Sequence, residues 1–168
     1  MSVQPPAATT PLRTSVRRAV RADLPDLVRL DARAREHLRP LRGGAMYLLH
    51  TARPDPAEPS LREDLDDVDR MVVVGRIGDD PVGYAVAAVH ELADGSGVAD
   101  VHELFVEPEA RGVGIGQLLM QSLVDWAVDR GCVGIDARAL PGDRSTKNFF
   151  ESFGLVTRAL TVHRDLRA

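Results

Sequence analysis

The chain has 168 residues, 44% hydrophobic and 27% charged, which is enough for one domain with its own core and no help from metal or disulfide. A net charge of −4 excludes a global pull toward nucleic acid or an anionic membrane surface. The single cysteine, Cys132, excludes an internal disulfide, no Cys/His cluster has metal-ligand spacing, and no apolar run is long enough to span a bilayer.

Residues 1–14 read as a disordered tail without the apolar stretch of a signal peptide, and residues 15–168 as one domain. Residues 15–21 suit a short strand. Asp23 is placed to N-cap a helix with Pro25 in its first turn, and Leu24, Leu27, Val28, Leu30, Ala34 and Leu38 recur at helical spacing until "RPLRGG" breaks it. Residues 39–59 are irregular, interrupted by Pro54, Pro56 and Pro59. Ser60 then caps a short helix, with Glu63 at the capping-box position. Residues 70–77, 82–92 and 98–106 are three strands of an antiparallel meander separated by "GDDP" and "ADGSG".

Further on, Ile115, Leu118, Leu119, Leu123, Trp126 and Ala127 mark the apolar face of a helix that ends at Gly131. Cys132, read as a small buried side chain, starts a strand over 132–140. That strand follows a strand–helix unit, so it is expected to lie parallel to 98–106. "DRSTKNFFESFG" is a short helix stopped by Gly154, and "LVTRALTVHRDL" is expected to close the sheet. The fold class is α/β, with a mixed, mostly antiparallel central sheet flanked by helices.

The stretch "FVEPEARGVGIGQLL", 105–119, places Gly112, Gly114 and Gly116 between a strand and a helix. A plain turn rarely needs glycine at three alternate positions. A dinucleotide fingerprint would need a third glycine at 117, where Gln stands, and a place after the first strand of a βαβ unit rather than after a meander. No Gly-Lys-Ser/Thr follows, so a Walker loop fails as well. The remaining reading is a pyrophosphate cradle: bare amides at the positive end of a helix, glycines that let phosphate come close, and Arg111 beside them.

"LFVEPEARGVGIGQLL" resembles motif A of the GNAT acetyltransferases, a strand ending V-x-P followed by R-G-x-G-x-G and an amphipathic helix, and "TKNFFESFGL" resembles the family's second signature. The resemblance covers about residues 15–165 and the order β-α-α-β-β-β-α-β-α-β. It implies that acetyl-CoA is the co-substrate, with no metal. The pantetheine arm would pair with the backbone of Leu104, Phe105 and Val106 where strand four parts from the next strand. The pyrophosphate would rest on Arg111, Gly112, Val113, Gly114, Ile115 and Gly116.

Such a reaction requires a base for the amine, and "HE" offers His102 and Glu103 just before the pantetheine stretch. Strict alternation turns them to opposite faces unless a bulge intervenes. Glu103 is the preferred base and His102 the reserve. The sequence departs from the family in two places: the position that often carries the tyrosine acid is Phe150, and the Asn seven residues earlier is Asp143. Tyr84, Ser145 and His163 are the alternative donors.

The expected acceptor is a primary amine of a small molecule or protein, in a cytoplasmic protein with no nucleic-acid or membrane partner and a homodimer as the one assembly considered. Residues 55–69 carry Asp55, Glu58, Glu63, Asp64, Asp66, Asp67 and Asp69 against Arg62, an acidic wall that would attract a cation unless it is simply solvated. His37, His50 and His90 are isolated in the chain. A catalytically weak acyl-CoA-binding sensor, kept open by Phe150 and Asp143, is the competing function.

Overall fold

The computed structural model describes residues 13–167, and the expected N-terminal tail lies almost wholly outside the described residues; Thr14 already pairs in the first strand. The elements are β1 (Thr14–Arg18), α1 (Leu24–Leu38), α2 (Gly44–His50), α3 (Glu58–Asp66), β2 (Arg70–Ile77), β3 (Asp80–Glu91), β4 (Gly97–Val106), α4 (Ile115–Asp129), β5 (Cys132–Ala137) and α5 (Arg144–Ser152). The sheet runs β1-β2-β3-β4-β5 in chain order. The first four strands are antiparallel to their neighbours, and β5 is parallel to β4.

Both faces of the sheet are covered. Leu27, Leu30 and Leu61 of α1 and α3 pack on Val72, Val74, Tyr84, Val86 and Phe105. On the other face Ile115, Leu119, Met120 and Leu123 of α4, with Phe150 of α5, pack on Val73, Ala85, Ala87, Val101 and Val106. Two-sided burial is why β2 and β3 read as unbroken apolar runs rather than alternating ones. Each fully buried Leu or Ile in these layers is worth about 1.5–3 kcal/mol. Gly75 lets α4 start close to the sheet, since a Cβ there would lie 2.7 Å from Ile115 Cγ2.

Several expectations are corrected. α2 falls inside the stretch 39–59 that reads as irregular, because a seven-residue helix bounded by glycine carries too short a period to see. α3 begins at Glu58, so Ser60 is inside it and donates to the Ala57 carbonyl (3.0 Å) instead of capping. Asp23 occupies the N-cap position of α1, but its carboxylate turns back to Val20 N (2.8 Å) and Arg17 (2.7 Å). Leu118 is 41% exposed and Met120 takes its place in the core. Cys132 is half-buried.

The largest correction concerns the C-terminal segment. Residues 155–167 form no strand, and Val156, Leu160 and Val162 stand exposed. The segment's alternation has the right period, but a strand also needs a ladder. Its hydrogen-bonded tie to β5 is instead the side-chain pair Arg158–Asp136.

Candidate functional site

β4 continues to Val106, but its pairing with β5 ends at Val101 opposite Ala137. The strands part there, and a cavity of about 310 Å³ is lined by β4 from Val101 to Val106, by Arg138 and Leu140 after β5, and by α5 residues including Thr146, Phe149 and Phe150. The expected binding residues Leu104, Phe105, Val106, Arg111, Gly112, Ile115 and Gly116 all line it. Val113 and Gly114 belong to the same turn without lining the cavity.

The turn is built from main chain. Gly112 and Gly114 have φ of +83° and +91°, conformations that side chains rarely adopt, and a Cβ at either would meet nothing within 4 Å. The amides of Gly112, Val113 and Gly114 donate to no other group among the described residues, and the first turn of α4 leaves its own amides without intrahelical acceptors. An open, glycine-walled set of donors at a helix N-terminus fits a phosphate group. Arg111 is turned partly away from it: its Nε donates to the Val106 carbonyl at 3.0 Å.

The far end of the cavity is built from side chains. A β-bulge on β4, between the pairs Val86–Glu103 and Ala87–Val101, leaves His102 as the extra residue. His102 and Glu103 therefore reach the same face of the sheet, and both line the cavity. Arg53, only 7% exposed, grips both Glu103 oxygens, Nε to Oε1 and Nη2 to Oε2, each at 2.6 Å.

Arg53 also donates to Asp64 (2.9 Å) and lies 3.7 Å from Asp31. Arg35 holds Asp31 (2.6 Å) and Arg70 holds Asp64 (2.8 Å), so two buried acids and the half-buried Glu103 face three guanidinium groups. Arg35 also donates to the Arg53 carbonyl at 2.6 Å, which fixes the loop that carries Arg53. Burial pushes the Glu103 carboxyl up, and the Arg53 hydrogen bonds oppose this without cancelling it. Burial disfavours the Arg53 cation, but the Glu103 hydrogen bonds and the nearby charges of Glu103 and Asp64 together outweigh it and hold Arg53 protonated. Burial lowers the His102 imidazole, with Asp100 pulling the other way.

The departures from the expected pattern have structural roles. Phe150 is buried against the α4 layer and lines the cavity with a bare ring. Asp143 caps α5, accepting from Thr146 N (3.0 Å) and Thr146 Oγ1 (2.7 Å). Of the alternative donors, Tyr84 and Ser145 line the cavity, whereas His163 lies in the exposed C-terminal segment. Tyr84 donates to Asp31 at 3.3 Å, and burial, with Glu103 and Asp31 nearby, raises its pKa well above the ordinary value.

Sequence reasoning missed two site residues, Arg53 and Tyr47. Tyr47 donates to the His102 carbonyl at 3.3 Å. Neither stands in a motif, and each arrives from a loop or helix about fifty residues from β4. The acidic stretch 55–69 is largely neutralised: Glu58 pairs with Arg62, Asp64 with Arg53 and Arg70, Asp66 with Arg21, Asp67 with Arg70, and Asp69 with Arg130. No helix among the described residues is long and apolar enough to cross a membrane.

Comparison with known proteins gives a consistent outcome. An uncharacterised N-acetyltransferase from Archaeoglobus fulgidus is 36% identical over 61 residues, which is 35% of this chain and 42% of that protein, so the match spans less than half of the relative's length. Among solved structures, the aminoglycoside acetyltransferase meta-AAC0020 from an uncultured soil metagenomic sample, in complex with sisomicin, superposes with a TM-score of 0.67 at 18% identity, over 92% of this chain and 96% of that one. AAC(6')-Iy in complex with the bisubstrate analog CoA-S-monomethyl-acetylneamine superposes with a TM-score of 0.66 at 19% identity, over 93% and 99%. At such identities the structures establish the fold. Residues 34–155, well over half of the chain, match the family described as Acetyltransferase (GNAT) family, and the chain belongs to that family.

Proposed function

We propose that the protein transfers the acetyl group of acetyl-CoA to a primary amine, with Glu103 as proton acceptor. The observation that carries this reading is the continuity of one cavity from the glycine turn, along the end of β4 that β5 leaves unpaired, to the half-buried Glu103 carboxylate. The free amides at Gly112–Gly114 and the start of α4 would hold the pyrophosphate. The β4 main chain from Leu104 to Val106 would align the pantetheine arm, and Arg111 braces the end of β4 through the Val106 carbonyl. Acetyl-CoA supplies an activated thioester, so the chain's own task is positioning and proton removal.

Each Glu103 oxygen already accepts one Arg53 hydrogen and retains a further lone pair for an amine proton, directly or through water. His102, on the same face, stands one residue away as the alternative acceptor. No hydroxyl is present at Phe150, so the thiolate leaves without acid help from that position; with an ordinary thiol pKa of about 8.5 it is a tolerable leaving group near neutral pH. The neutralised 55–69 wall favours an acceptor that presents one amine over a polycation.

The test is thiol release from acetyl-CoA across a panel of amines, amino acids and peptides, for the wild type and Glu103→Gln. The variant is expected to lose about 10²–10⁴-fold in turnover while its acetyl-CoA affinity by calorimetry stays within a few-fold. Wild-type turnover in Glu103→Gln would move the base to His102. Acetyl-CoA binding with no acceptor in any class would favour the sensor reading.

A further inference from the structure

We propose that His90, Asp100 and His102 form a site for one divalent transition-metal ion of the zinc class. In the chain Asp100 and His102 lie ten and twelve positions beyond His90 and match no ligand spacing. The sheet brings them together. Asp100 and His102 lie two apart on β4. His90 on β3 pairs with Val98 and so sits diagonally across from Asp100. Asp100 and His102 share that face by ordinary strand alternation, and the bulge adds Glu103 to it.

One nitrogen from each imidazole and one Asp100 oxygen all lie within 4.8 Å of one another. His102 Nε2 is 3.7 Å from Asp100 Oδ2, and the two imidazoles stack with centroids 5.8 Å apart. Ligands around a tetrahedral ion at about 2.1 Å lie about 3.4 Å apart, so modest side-chain rotation closes the set. His90 is exposed, and all three groups border a second cavity of about 440 Å³ that would admit a hydrated ion.

The chemistry selects the ion. Two imidazoles and one carboxylate suit zinc, cobalt, nickel or copper, whereas magnesium and calcium prefer all-oxygen shells. Arg138 presently holds Asp100 through both oxygens, at 3.0 and 2.7 Å. Its side chain is 51% exposed, so water can solvate the guanidinium once the carboxylate is released. The carboxylate thus already faces a cation that can withdraw into water, and metal binding is an exchange of Arg138 for the ion. The proposal does not rest on acetyl transfer.

The experiment uses the full chain, stripped with chelator and titrated calorimetrically with zinc. Cobalt absorption serves as a second readout, because its intensity reports coordination geometry. One zinc per chain is expected, not displaced by excess magnesium. His90→Ala and Asp100→Asn should each weaken it by at least about tenfold, the smallest loss typical even for partners outside the ligand shell. Arg138→Gln should tighten it, and His50→Ala should change nothing. Circular dichroism melts check that each variant is folded. Absence of saturable zinc binding, unchanged affinity in folded His90→Ala and Asp100→Asn, or weaker binding in Arg138→Gln would each overturn the proposal.

Discussion

On the side of the glycine turn the cavity is lined by main chain; at its other end it is lined by Asp31 of α1 and by His102 and Glu103 of β4, backed by Arg53 from the 51–57 loop and Asp64 of α3. The first wall is encoded within a dozen consecutive residues. It depends on two positive-φ glycines and the free amides that follow from them. The second wall converges from residues 31 to 103 and depends on charge balance around Arg53. Local main-chain geometry survives loss of most neighbouring side chains. A buried charge network does not, because removal of one member strands the others.

That contrast can be broken at its most sensitive point. Arg53→Ala would leave Glu103 without its cation and Asp31 and Asp64 with one partner each, Arg35 and Arg70, and a loss of about 3–5 kcal/mol in unfolding free energy by urea titration is expected. Arg53→Lys should recover part of it, since it restores charge without the two-pronged grip. An Arg53→Ala protein as stable as wild type would mean that the second wall tolerates loss as the first does.

At the glycine wall the expected cost in stability is smaller and the effect on binding larger. Gly114→Val forces a branched side chain to φ near +91°, which costs about 1–3 kcal/mol. It also narrows the phosphate approach, so calorimetric affinity for acetyl-CoA should be lost while the fold persists. Gly114→Ala separates strain from obstruction. A folded valine variant with unchanged affinity would remove the turn from the binding site.

The smallest effect lies away from both walls and serves as a reference for an ordinary ion pair. The Arg17 hydrogen bonds hold the Asp23 carboxyl below its ordinary value, against a smaller opposing effect of burial. The pair's contribution is therefore complete above the ordinary carboxylate range and is lost as pH falls through the depressed folded value. With Arg17 42% exposed, Asp23→Asn should cost on the order of 1 kcal/mol at pH 7, screened by salt, and the gap from wild type should close in acid. A gap that widens on acidification would reverse the assignment.

The sequence by itself determined the glycine turn, the β2–β4 meander, the parallel placement of β5 and the core faces of α1 and most of α4. Each of these is set by a short-range period or by backbone freedom at a single residue, so neighbours in sequence suffice to show it. Only the tertiary structure decided that β4 carries a bulge, that His102 and Glu103 share a face, that Arg53 and Tyr47 reach the site, and that His90 meets Asp100 and His102. It also left the strand-like segment 155–167 without a ladder and turned the acidic stretch 55–69 largely into ion pairs. These outcomes depend on register between strands and on which long side chains converge from remote loops. A one-residue shift in register reverses every facing beyond it, and no local pattern in this sequence records where that shift occurs.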